Sequence, residues 1–115
     1  MGRSIGSGVG IYLASKYKVG HLVLISPFLS ICEVVKDLYC GLFSWMLKEK
    51  FDNRERIRRV GCPCLMVHGL KDEVIGYRHS VELSGSIGGM CVLKLVRGMS
   101  HSSFDFDKDL LWHVN

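Results

Sequence analysis

Proline is scarce, with two residues in 115, and no apolar stretch approaches the roughly 20 residues needed to cross a bilayer. With 48% hydrophobic and 23% charged residues, the composition excludes the polar, core-poor chemistry of a disordered chain and gives no sign of a membrane-spanning helix. A secretory leader pattern is also lacking, because the apolar residues after Arg3 are broken by Gly6, Gly8 and Gly10. A myristoylation signal fails at one position: Gly2 is present, but Gly6 stands where Ser or Thr is required. Metal or redox spacing is missing too. Cys32, Cys40, Cys62, Cys64 and Cys91 form an odd set without a repeated gap, and Cys62-Pro63-Cys64 is shorter than the two-residue gap of zinc and redox sites. Buried free thiols in a reducing, cytoplasmic compartment are expected, with no metal and no cofactor.

Charge of one sign is modest. The net charge is +4, and the densest basic run, "RERIRR" at 54–59, is interrupted by Glu55 and Ile57. Without a pattern of stacking aromatics or a reader motif, that run is a solvated helix face and no nucleic-acid partner is expected. The same charge permits weak, peripheral attraction to an anionic membrane surface.

What is present is one continuous alternation of helix and strand, without repeat or linker, in a length suited to one domain. From Ser7 to about Tyr17, Val9 and Leu13 lie four apart, as do Gly6, Gly10 and Ala14, which predicts a helix with one smooth stripe that approaches a sheet closely. "HLVLIS" at 21–26 predicts a buried strand ended by Pro27. Ile31, Val35, Leu38, Leu42 and Trp45 recur at helical spacing. Asp52 and Glu55 have the spacing of an acidic cap and its partner, which predicts a second helix near "FDNRERIRRV". "CLMVHG" and "CVLKLV" supply two more strands, with a helix around Tyr77 to Leu83 between them, and "DFDKDLLWHV" opens a terminal helix. The order predicts an α/β fold: a parallel sheet with helices on both faces. In such sheets, functional residues gather beyond the carboxyl ends of the strands.

Gly2-Arg3-Ser4-Ile5-Gly6 fits the G-x-S-x-G elbow, a sharp turn that presents a serine between strand and helix. The glycines are expected where side chains would collide with the neighbouring strand and helix. A serine hydroxyl needs a base to take its proton and a carboxylate to orient that base. "HGLKDEVI" places Asp72, with Glu73 as the rival acid, after the second of the three strands, and "VRGMSH" places His101 after the third. Each has an ordinary competitor: Ser4 as a helix cap, Asp72 as a turn former, His101 as a surface loop residue. His68 is expected to support the acid loop by hydrogen bonding, and no role is assigned to His21, His79 or His113. A dinucleotide-binding turn is rejected, because the third glycine of its fingerprint would fall on Ile11.

The motifs "GRSIGSG", "VLISPF", "FDNRERI", "CPCLMVHGLKDEVI" and "GMSHSSFDF" together resemble the C-terminal half of an α/β hydrolase, and among these the α/β-hydrolase-domain proteins that include protein depalmitoylases. The resemblance implies a serine hydrolase with Ser4 as nucleophile, His101 as general base and then acid, and Asp72 as the orienting carboxylate. It also implies the backbone N–H of Ile5 as one oxyanion donor. The implied substrate is an acyl ester or a fatty-acyl thioester on a protein cysteine. Phe28, Leu29, Leu42, Phe43 and Trp45 either line an acyl groove or form core. Several strands and a second oxyanion loop would precede the serine in that family, whereas Met1, Gly2 and Arg3 alone do so here. Residues 1–115 are therefore expected to form a single incomplete domain. The alternative is a catalytically inactive hydrolase remnant that serves as a binding or interaction module.

Overall fold

A computed structural model describes residues 1–39 and 52–102. The expected helix beyond Tyr39, including Leu42, Phe43 and Trp45, and the terminal helix of "DFDKDLLWHV", with His113, lie outside the described residues.

Four strands form one parallel sheet in the order β1-β2-β3-β4: β1 (Gly2–Arg3), β2 (Leu22–Ile25), β3 (Cys64–Gly69) and β4 (Cys91–Val96). Three were predicted. β1 went unseen because its two residues carry no periodicity, but they pair with Leu24 and Ile25 and deliver the chain into the serine turn. The helices are α1 (Ile5–Lys16), α2 (Ile31–Tyr39), α3 (Asn53–Arg56), continued by a 3-10 turn at Ile57–Arg59, and α4 (Arg78–Ser86). Ser30 opens α2, its hydroxyl accepting from the Glu33 N–H at 3.2 Å. Asp52 caps α3 as predicted, accepting from the Glu55 N–H at 3.4 Å.

Strand alternation sorts the core into two faces. Leu22, Leu24, Cys64 and Met66 pack with Ile11 and Ala14 of α1, Ile57, Val60 and Leu83 of α4. Ile25, Val67 and Met99 form the cluster on the other face, with Val23, Leu65 and Val96 against it. Among the described residues, α1, α3 and α4 pack on the first of these faces. The strand order explains this: it never reverses, so successive right-handed crossovers deposit α1, α3 and α4 on the same side.

On α1 the apolar pair points outward. Val9 and Leu13 are 47% and 45% exposed, and the buried residues are Ser7, Gly8, Ile11 and Ala14. Small residues govern the approach, since a Cβ on Gly10 would already touch Leu22 and Leu24 at 3.6 Å. Phe28 and Leu29 are fully buried and so belong to the core rather than to a groove. Polar bonds anchor their segment. Asn53 donates from Nδ2 to the Phe28 carbonyl at 2.8 Å, and its N–H reaches the Leu29 carbonyl at 2.8 Å. The Leu29 N–H donates to Nδ1 of buried His79 at 3.0 Å, so Nε2 carries that ring's proton and donates to Asp37 at 2.7 Å. Burial holds His79 below its ordinary pKa, so this contact joins a neutral ring to a carboxylate. Among the described residues no helix is long and apolar enough to cross a membrane.

Candidate active site

Parallel strands end on a common rim, and the segments that leave β1, β3 and β4 there carry Ser4, Asp72 and His101. Ser4 turns the chain from β1 into α1 with φ 51° and ψ −120°, a region a residue with a Cβ seldom enters. Three bonds hold it there. Its N–H donates to the Ile25 carbonyl at 2.9 Å, continuing the sheet ladder, while its carbonyl accepts from the Ser7 N–H at 2.9 Å and the Ser7 hydroxyl at 2.5 Å. Gly2 is required by space, because a Cβ there would lie 2.6 Å from the Gly6 carbonyl oxygen and 2.8 Å from the Ser7 Cα. Gly6 is not: among the described residues a Cβ on it would meet nothing within 4 Å. The steric reading of the elbow thus holds for the first glycine and fails for the second.

The acid loop leaves β3 at Gly69. Asp72 is buried, and its Oδ1 accepts from the backbone N–H groups of Val74 at 3.0 Å and Ile75 at 2.8 Å. Oδ2 faces Nδ1 of His101 at 2.9 Å. Burial works to raise the Asp72 pKa, but the Ile75 N–H and the His101 contact outweigh it, leaving the carboxyl below its ordinary value and ionised. Glu73, the rival, is exposed. Beneath the loop His68 is fully buried. Its Nε2 lies 2.7 Å from the Ile75 carbonyl, which only accepts, so Nε2 bears the proton and Nδ1 accepts from the Ser80 hydroxyl at 2.5 Å. Burial lowers the His68 pKa, so its 3.4 Å approach to Asp72 Oδ2 is a contact of a neutral ring rather than an ion pair. The expected supporting bond is present, and it grips Ile75, the residue whose N–H enters Asp72.

His101 arrives from β4 on a loop fastened to the acid loop. The Leu70 N–H donates to the Val96 carbonyl at 2.9 Å, and the Lys71 N–H donates to the Met99 carbonyl at 3.2 Å. Arg3 closes the other side, its Nη2 donating to the His101 carbonyl at 2.8 Å. The imidazole then spans the site. Because ionised Asp72 only accepts, Nδ1 of His101 donates to it, and the lone pair of Nε2 faces the Ser4 hydroxyl at 3.1 Å. Such an arrangement can draw the proton from a serine oxygen and hold it on the ring. Ile5 is the first residue of α1, so its N–H belongs to the turn whose amides have no acceptor within the helix.

Ser4, Asp72 and His101, 97 residues apart at the extremes, are thus brought into one hydrogen-bonded row. Ser7, Ser80, Ile75 and Arg3 escaped the sequence reading. Ser7 and Ser80 look like ordinary helix residues, and Ile75 contributes only its backbone. Ser26, at the end of β2 with φ 49°, buries a hydroxyl that has no hydrogen-bond partner among the described residues. No group of three or more His, Cys, Asp or Glu among the described residues is disposed to hold a metal ion.

No protein-family model matches the chain. The α/β-hydrolase domain-containing protein aho-3 of Caenorhabditis elegans is 37% identical over 82 residues, which are 71% of this chain and 24% of that protein. The human α/β-hydrolase domain-containing protein 17B is 33% identical over 86 residues, 71% of this chain and 27% of that protein. The chain therefore spans about a quarter of the length of these relatives. Among solved structures, acetyl xylan esterase 1 from Thermoanaerobacterium superposes with a TM-score of 0.73 at 23% identity, covering 96% of this chain and 42% of that one. The acetyl xylan esterase of Paenibacillus superposes at 0.77 with 14% identity, covering 99% and 43%. Likenesses of that degree establish the fold. By fold this is an α/β-hydrolase chain, and in sequence it is related to the α/β-hydrolase domain-containing proteins over 71% of its length.

Proposed function

We propose that the chain is a serine hydrolase that cleaves an acyl ester or thioester, with Ser4, His101 and Asp72 as its triad. The observation that carries this is the row itself, Ser4 Oγ to His101 Nε2 at 3.1 Å and His101 Nδ1 to Asp72 Oδ2 at 2.9 Å. Ser4 Oγ attacks the acyl carbon while His101 takes its proton and passes it to the leaving alcohol or thiol. Water, deprotonated by the same ring, then releases the acid. The Ile5 N–H is one donor to the tetrahedral oxyanion. Ester chemistry is supported by the acetyl xylan esterases that share the fold.

The finer proposal is a fatty-acyl thioester on a protein cysteine, that is, protein depalmitoylation, in the cytoplasm at the surface of a membrane. The motif resemblance to the depalmitoylating branch supports it, as does a net charge of +4, suited to weak adsorption on anionic lipid.

A fluorophosphonate probe tests the reaction class. Ser4 is expected to label, and Ser4→Ala to abolish labelling while the chain remains folded by circular dichroism. Folded wild-type chain that does not label would instead support a non-catalytic binding module. Hydrolysis of a palmitoyl thioester against a short-chain ester tests the substrate class, and preference for the short ester would remove the depalmitoylase proposal alone.

A further inference from the structure

The rim opposite Ser4 holds chemistry that acyl transfer does not use. β3 begins at Cys64 and β4 at Cys91, and the two are direct partners in the parallel ladder. Neighbouring strands run about 4.8 Å apart, inside the Cα separation of about 4.4–6.8 Å that a disulfide spans. Both side chains project to the helix-covered face, where they join the same cluster. Their thiols are free. The Cys64 N–H donates to the Met90 carbonyl at 2.9 Å, so the residue preceding Cys91 is itself pinned to the partner strand.

We infer that Cys64 and Cys91 are a modification site, a dithiol that closes to a reversible disulfide when the chain meets a hydroperoxide. The two sulfurs are unequal. Cys91 is half-buried, and the hydrogen bond from Cys64 holds its thiol below the ordinary value. Cys64 is buried, and the bond to Cys91 followed by desolvation pushes it up. Cys91, the more accessible of the two thiols, therefore reacts first. Its thiolate attacks a peroxide oxygen; an S–O bond forms, the O–O bond breaks, and the alcohol leaves with a proton, giving a sulfenic acid. The Cys64 sulfur then attacks Cys91; the S–S bond forms, the S–O bond breaks, and water departs with the Cys64 proton. The thiols together lose two electrons and the hydroperoxide gains them. The bond would tie β4 to β3 and close the segment that carries Asp72 and α4.

The test uses the full chain, reduced, desalted and treated with one equivalent of tert-butyl hydroperoxide. The expected product has lost two hydrogens, and its non-reducing tryptic map joins the peptide carrying Cys64 to the one carrying Cys91. The link survives in Cys62→Ser, is lost in Cys91→Ser, and opens again with dithiothreitol. The oxidised chain is expected to melt higher than the reduced one by about 5 °C or more. An unchanged mass, a bond through Cys62 or Cys40, or oxidation of Cys91 to a sulfinic acid without a link would overturn the inference. None of these readouts depends on hydrolase activity, so the two proposals stand or fall separately.

Discussion

At the scale of single residues, Asp72 matters through the proton it assigns to His101. Its Oδ1 is occupied by two backbone N–H groups, from Val74 and Ile75. In Asp72→Asn those donors would keep the amide oxygen, leaving the NH2 group to face Nδ1. The ring proton would then move to Nε2, where it blocks the Ser4 hydroxyl. We expect hydrolysis to fall about 10⁴-fold, measured as kcat on an activated ester, and the thermal midpoint at neutral pH to drop with the loss of the ionised carboxylate. The choice of Asp72 over Glu73 was legible from the motif, and the structure places Asp72 against the imidazole. Arg3 was not legible, because its bond runs from the guanidinium to the His101 backbone carbonyl, and a carbonyl leaves no trace in a sequence.

At the scale of elements, the site depends on how closely two loops approach. A Cβ on Gly69 would overlap the Met99 carbonyl oxygen, on the loop that ends at His101. Gly69→Ala is therefore expected to destabilise by about 1–3 kcal/mol, the cost of overpacking a well-filled contact, and to slow probe labelling by displacing His101. Gly6→Ala, with open space around the new methyl, is expected to leave stability unchanged or raise it by up to about 1 kcal/mol, since alanine is the better helix former. Urea unfolding of both variants distinguishes the two glycines. The motif alone treated Gly2 and Gly6 as equivalent. Local spacing predicted α1, β2, β3, α4 and β4 and the smooth stripe of Gly6, Gly10 and Ala14 on α1, but it did not single out the fully buried Ile11, because a pattern of apolar positions does not say which face the sheet occupies.

At the scale of the whole molecule, two fully buried imidazoles, His68 and His79, couple stability to pH. Burial lowers both below the ordinary value of 6.5. Unfolding returns them to water, where they bind protons that the folded chain refuses. Their contribution is therefore fully present above pH 6.5 and is lost as pH falls from there towards the folded values. The thermal midpoint is expected to decline below pH 6.5, and His68→Asn to flatten its share of that decline. Asp72 and Asp37 act at lower pH: burial alone would raise them, but their hydrogen bonds lower them, so their contribution disappears only as the carboxylates protonate.

By itself the sequence determined the parallel α/β class, most of the helices and strands, and the identity of the three residues that the strand-end loops carry. Those are properties of local spacing: hydrophobic period sets the element, and turn chemistry sets its ends. Tertiary structure alone decided which face the helices cover, how Arg3 and Ser80 brace the rim, and that Cys64 lies against Cys91. Each of these joins residues distant in the chain, and such pairings follow from strand register and crossover direction, which no short window of residues encodes.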